Sequence, residues 1–127
     1  MADKKILVAD SDPIFLEFLG TELKNSGLEN YSIIIASDGQ EALKKIRKEN
    51  PSLIIAEENL YSISGYKLSR LVKFDKKRSN IPFILLTSNP DEQNEALARE
   101  TGVNDYLQHA VDKKLLSRIL FYITGKG

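Results

Sequence analysis

Four polar clusters follow directly on apolar runs in this chain: Asp10-Ser11-Asp12, Glu57-Glu58-Asn59, Thr87-Ser88 and Gln108-His109-Ala110. Their side chains suit the handling of ions. Carboxylates stand at 10, 12, 57 and 58. Thr87 adds a hydroxyl. His109 is the only histidine, the side chain whose ordinary titration lies near neutral pH. Each has a plainer reading as well. Asp12 precedes Pro13, the pattern of a helix N-cap with proline at the first helical position. Thr87 can simply end a strand, and a lone histidine is commonly structural.

Composition narrows the chemistry. The chain has 127 residues, 42% hydrophobic and 28% charged, enough for one domain with one substantial core over 1–127. Lys+Arg and Asp+Glu are both 18, so nucleic acid is not the expected partner, because phosphate binding needs a positive excess. The absence of cysteine excludes disulfides, thiolate nucleophiles and Cys-ligated zinc. After Met1–Lys5 only Ile6 to Ala9 is continuously apolar, too short for a signal-peptide core, and no run approaches a membrane span. The expectation is a cytoplasmic protein with no membrane partner, monomeric or weakly dimeric.

The elements that must position these clusters alternate between two periods. Apolar runs at Lys5–Ala9, Tyr31–Ala36, Leu53–Ala56, Pro82–Thr87 and Val103–Leu107 read as strands. Between and after them lie helical patterns. Asp12-Pro13 opens the first, with Ile14, Phe15, Phe18, Leu19 and Leu23 as its inward stripe, and Asn25-Ser-Gly27 ends it. Asp38-Gly-Gln-Glu41 resembles a capping box for the second, which Asn50-Pro51 stops. Tyr66–Phe74 is a short third helix. Asn89-Pro90-Asp-Glu92 caps a fourth that runs to about Glu100. Asp112–Thr124 is the last, with Leu115, Leu116, Ile119, Leu120 and Ile123 inward. Five βα units of this kind predict a doubly wound parallel sheet in a three-layer α/β sandwich. Ligands in such sheets gather beyond the carboxyl ends of the strands, where the four polar clusters stand.

Those same segments carry a resemblance. Ile6-Leu-Val-Ala-Asp-Ser-Asp-Pro13, Pro51 through Gly65, Ile81-Pro-Phe-Ile-Leu-Leu-Thr87 and Gly102-Val-Asn-Asp-Tyr-Leu107 resemble, in order and spacing, the receiver domains of bacterial two-component response regulators. The resemblance implies a flavodoxin-like (βα)5 fold with strand order 2-1-3-4-5. It also implies a site where two adjacent acidic residues and a phosphoacceptor aspartate hold Mg²⁺, while a Thr or Ser and a Lys contact the phosphoryl oxygens. Here Asp10 keeps the first acidic place and Thr87 the hydroxyl. Ser11 stands at the second acidic place, Glu57 at the acceptor and His109 at the lysine. Asn59 falls where a backbone carbonyl would bind metal. Tyr61 and Ala110 replace prolines, and Tyr106 matches the aromatic that swings inward on activation.

The departures point one way. Ser11 removes a ligand charge, and the longer Glu57 moves its oxygens, so Mg²⁺ binding is expected to be weak or absent, with no cofactor. In-line phosphoryl transfer needs close positioning. The expectation is a phosphorylation-independent pseudo-receiver, not an enzyme, that works by protein contacts. A receiver phosphorylated at an atypical glutamate is the alternative. A nucleotide-binding domain is disfavoured, since acidic residues stand where a glycine-rich phosphate loop would. The expected partners are signalling proteins, such as a histidine kinase or an output or motility protein. Tyr106, Phe121 and Tyr122 are the interface candidates. Lys73, Lys76, Lys77 and Arg78 read as a solvated basic loop. A His109–Glu57 contact is expected to balance the pocket's carboxylates.

Overall fold

A computed structural model describes residues 3–125; the ends of the expected 1–127 domain, Met1–Ala2 and Lys126–Gly127, lie outside the described residues. Five strands, β1 (Lys4–Ala9), β2 (Tyr31–Ala36), β3 (Leu53–Glu57), β4 (Phe83–Thr87) and β5 (Asp105–Gln108), alternate with five helices. These are α1 (Pro13–Asn25), α2 (Gly39–Glu49), α3 (Gly65–Lys73), α4 (Glu92–Glu100) and α5 (Lys113–Thr124). All strand pairs are parallel, in the order β2-β1-β3-β4-β5. This is the predicted flavodoxin-like topology.

The sheet is covered on both faces, which is why its central strands are apolar throughout. Ile6, Val8, Ile55 and Ile84 pack on one side with Phe15, Leu19 and Leu23 of α1 and Leu115, Ile119 and Ile123 of α5. Leu7, Ile54, Phe83 and Leu85 pack on the other with residues of α2, α3 and α4. Successive strand residues point to opposite faces, so each strand feeds both cores.

Caps fix where the helices begin. The Asp12, Asp38, Ser64, Asp91 and Asp112 side chains all accept backbone N–H groups of the first turn. Asp12 therefore has the N-cap role that Pro13 suggested. The Asp38 box is altered: Glu41 reaches back to Ser37, one residue before the cap, and also accepts from Lys45. Asn50 ends α2 in the left-handed conformation, at φ 48°.

Three expectations need correction. The stripe of α1 is narrower than read. Phe15, Leu19 and Leu23 are buried, but Ile14 and Phe18 are 65% and 59% exposed. They form their own i, i+4 pair, turned about 100° from the buried row. In α5, Leu116 and Leu120 are only half-buried. The fifth strand starts at Asp105, not Val103, because Asn104 is used to join strands: its backbone N–H bonds the Phe83 carbonyl, and its side chain accepts the Phe83 N–H.

Candidate functional site

The carboxyl ends of β1, β3, β4 and β5 bring Asp10, Glu57, Thr87 and His109 to one edge of the sheet. Asp10 is 1% exposed. Its Oδ1 accepts the Asp12 N–H at 2.9 Å, a turn that the start of α1 enforces. Its Oδ2 lies 2.7 Å from His109 Nε2. The His109 ring is stacked on Phe15 of α1, with centroids 4.2 Å apart and planes at 22°. Glu57 takes the Ser11 hydroxyl on Oε1 at 2.8 Å, and its Oε2 is 3.8 Å from His109 Nε2. The histidine is thus held between two carboxylates, and its nearer partner is Asp10. The expected His109–Glu57 contact exists only as the longer of the two, because Ser11 draws one Glu57 oxygen toward the β1 loop.

Burial governs the electrostatics of Asp10. Desolvation pushes its carboxyl up to about 6, assisted by the Glu57 contact and opposed by the Asp12 N–H and His109.

Glu58 faces the opposite way from Glu57, as alternation along a strand end requires. Its Oε1 accepts the Thr87 hydroxyl at 2.7 Å and its Oε2 the Tyr66 hydroxyl at 2.9 Å. Tyr66 in turn meets Tyr106 oxygen to oxygen at 3.3 Å. Burial and the contacts with Tyr106 and Glu58 hold the Tyr66 phenol well above its usual range. Thr87 also accepts the Asn89 N–H at 3.1 Å. This second network ties the expected hydroxyl and aromatic positions together. The sequence did not foretell Glu58 as a brace for Thr87 and Tyr66, or Phe15 as the ring stacked on His109. A carboxylate adjoining Glu57, a tyrosine one residue beyond Gly65 and an aromatic one turn past Ser11 were the only signals of it.

Other expected residues are placed as follows. Asp12 spends its side chain on the Ile14 and Phe15 N–H groups at 3.0 and 3.3 Å, so it stands beside the pocket without facing it. Asn59 lines the small cleft of about 80 Å³ over Glu57, Glu58, Ser88 and His109. On α5, Tyr122 donates its hydroxyl to Asp105 at 2.6 Å and accepts from Arg118. Phe121 meets Tyr122 edge-on, with the Arg118 guanidinium 4.6 Å from the Phe121 ring centroid. In the basic cluster, Arg78 pairs with Asp75 and the Arg47 carbonyl, and Lys73, the last residue of α3, reaches the Ser79 and Ile81 carbonyls.

The donor set does not fit magnesium. Mg²⁺ asks for near-octahedral oxygen ligands and keeps most of its water. Here one oxygen of buried Asp10 is taken by the Asp12 N–H and the other by His109, and Ser11 adds no charge. An imidazole nitrogen at the heart of the cluster suits softer ions.

Among the described residues, no helix is long and apolar enough to cross a membrane. Comparison with known proteins agrees with the fold. Residues 6–121 match the model of the response regulator receiver domain. The chain is 34% identical over 105 residues to the alkaline phosphatase synthesis transcriptional regulatory protein PhoP of Bacillus subtilis, covering 83% of this chain and 42% of that one. It is 30% identical over 120 residues to an uncharacterised 14.6 kDa protein of Leptolyngbya boryana, covering 94% and 89%. It spans less than half the length of PhoP and of four other curated relatives that it matches. The signal receiver domain of a signal transduction histidine kinase from Syntrophus aciditrophicus superposes with a TM-score of 0.83 at 28% identity, over 96% of this chain and 91% of that one. With the family model spanning nearly all of its βα units, this chain belongs to the response regulator receiver domain family.

Proposed function

We propose that this receiver domain signals without phosphorylation, as a pseudo-receiver that works through protein–protein contacts in a two-component-type pathway and catalyses no reaction itself. The observation that carries the reading is the 2.7 Å pairing of His109 Nε2 with Asp10 Oδ2. A residue of the chain occupies the oxygen that a magnesium ion would need, and it does so from the position where the family keeps its phosphoryl-contacting lysine. Transfer to Glu57 would then lack both the metal and the pre-aligned cation that stabilise the transferring group. Partners are signalling proteins, a histidine kinase or an output protein among them, and the fold operates as a recognition surface.

Glu57 keeps 14% of its side chain exposed at the cleft, and this favours the second reading, a receiver phosphorylated at glutamate. Acetyl phosphate, or beryllofluoride with Mg²⁺, separates the two. Amide spectra unchanged at Thr87 and Tyr106, with no mass gain on the chain, are expected. A stoichiometric phosphoryl adduct or a shift of both residues would overturn the pseudo-receiver reading.

A further inference from the structure

Asp10, Glu57 and His109 each present one donor atom to a common point. One ligand atom from each of the three lies within 4.8 Å of the other two, and His109 Nε2 faces both Asp10 Oδ2 and Glu57 Oε2. The remaining donor and ring positions of these side chains have partners of their own. The Asp12 N–H holds Asp10 Oδ1, and the Ser11 hydroxyl holds Glu57 Oε1. The Phe15 ring lies flat against the imidazole and fixes its plane. Such outer contacts are what orient ligands in protein metal sites.

The spacing suits a small tetrahedral ion. Zinc bound at roughly 2.0–2.1 Å places its donors about 3.3 Å apart. The observed separations from Nε2 are 2.7 Å to Asp10 and 3.8 Å to Glu57. They bracket that value, so about half an ångström of movement at each carboxylate would admit the ion. The chemistry of the set agrees: one imidazole and two carboxylates form a nitrogen–oxygen site that favours zinc, nickel or cobalt over magnesium. Two buried or half-buried carboxylates would also have their like charge neutralised by a dication. The cleft beside Glu57 and His109 gives an entry path and room for water in the fourth position.

We propose that Asp10 Oδ2, Glu57 Oε2 and His109 Nε2 bind a borderline divalent transition ion, with Zn²⁺ as the type, at the site where the family's magnesium chemistry has been lost. The ion replaces the direct His109–Asp10 bond and ties together the ends of β1, β3 and β5. The residues substituted at this edge thereby change the metal class of the pocket. The inference does not depend on whether Glu57 accepts a phosphoryl group.

The test uses the untagged full chain, stripped with chelator. Zn²⁺ is titrated by calorimetry and Co²⁺ by its visible absorption. One equivalent is expected to saturate the protein, with Co²⁺ giving the intense bands of tetrahedral coordination, and Mg²⁺ in large excess is expected not to compete. His109→Gln and Glu57→Gln should each weaken binding at least about 100-fold, beyond the 10–100-fold that loss of an outer-shell partner brings. Should either variant fold poorly, the ¹⁵N resonances of His109 in the unaltered chain decide: Nε2 shifts on Zn²⁺ addition, and Nδ1 moves little. No saturable binding, binding retained in folded His109→Gln, or an unmoved Nε2 would overturn the site. A chain that binds Zn²⁺ and is also phosphorylated by acetyl phosphate keeps this site and loses the pseudo-receiver reading.

Discussion

Thr87 donates its hydroxyl to Glu58 at 2.7 Å, so the hydroxyl at the end of β4 is already engaged by a carboxylate of its own chain. The same carboxylate takes the Tyr66 phenol at 2.9 Å, and Tyr66 reaches Tyr106. Glu57 and Glu58, adjacent in sequence, serve two separate networks because a strand end sends consecutive side chains to opposite sides. One network holds His109 and Asp10. The other braces Thr87 and, through Tyr66, Tyr106. Thr87, which the family resemblance places at the phosphoryl contact, and Tyr106, which it marks as moving on activation, are therefore tied together from within.

The Glu58 brace should be measurable as stability. Hydrogen bonds to charged groups contribute about 1.5–3 kcal/mol net. Thr87→Val and Tyr66→Phe each remove one donor and leave Glu58 partly unsatisfied. We expect each to lower the urea-unfolding free energy by about 1–3 kcal/mol, and Tyr66→Phe also to sharpen or shift the Tyr106 ring signals. Two variants as stable as the parent, with Tyr106 unmoved, would show that the brace contributes nothing.

Asp10 sets a pH dependence of definite sign. Burial raises its folded carboxyl from 3.8 to about 6, so the folded state binds the proton more tightly than the unfolded chain. Stability from this group is fully present below the unfolded value and is lost as pH rises through about 6. Other carboxylates act in the opposite direction: Glu41, Glu49 and Asp75 are lowered, chiefly by bonds from Lys45, Lys5 and Arg78. The comparison must therefore be with Asp10→Asn. The stability of the parent minus that of Asp10→Asn should fall between pH 4 and pH 7, by on the order of 2 kcal/mol, in chelator-treated samples. A difference that stays level, or grows with pH, would contradict the raised value.

Gly65 closes the loop over the end of β3. A Cβ built there would press into the Glu57 carbonyl oxygen and come within 2.7 Å of Leu85 Cδ1. The obstruction is backbone, which has little room to yield. Gly65→Ala should cost about 1–3 kcal/mol, the range for overpacking, and should disturb the Glu57 and Glu58 amides before those of α5. Equilibrium unfolding with amide spectra checks this; an unchanged midpoint would mean that the loop is free to move aside.

Much of this architecture could be read from the residues because it rests on local signals. The apolar runs, the aspartate caps and the Asn50-Pro51 stop each specify their element through nearby chain alone. The four strand ends were legible as a site because parallel topology forces them to one edge. What stayed hidden depends on which way a side chain turns after the backbone is set. Apolar periodicity cannot tell Phe15 from Phe18 until α1 is rotated against the sheet. His109 could face either acid, and only the Ser11–Glu57 bond and the Phe15 stack make Asp10 the nearer one. Glu58 was unreadable as a brace because its partners, Thr87 and Tyr66, lie 29 and 8 residues away.

The two aromatics of α5 make separable predictions about the contact surface. Tyr122 is committed to the fold: its hydroxyl bonds Asp105, Arg118 joins the same pair, and its ring packs against the core. Burial, then the Asp105 contact, raises its phenol, as expected for a hydroxyl that keeps its proton to donate. Tyr122→Phe should therefore cost about 1–3 kcal/mol of stability, the scale of a bond to a charged group, and change partner binding little. Phe121 makes no such bond; it is half-buried, with Arg118 over its ring. Truncating an aromatic interface anchor costs about 2 kcal/mol or more, roughly 30-fold in affinity. Phe121→Ala is expected to weaken binding of the partner recovered by affinity capture by at least that factor while the unfolding midpoint moves little. Arg78→Ala is the control, since that guanidinium serves Asp75 and the Arg47 carbonyl; it should affect stability and spare affinity. If Arg78→Ala abolished binding in a folded protein and Phe121→Ala did not, the contact surface would lie at the loop after α3 rather than on α5.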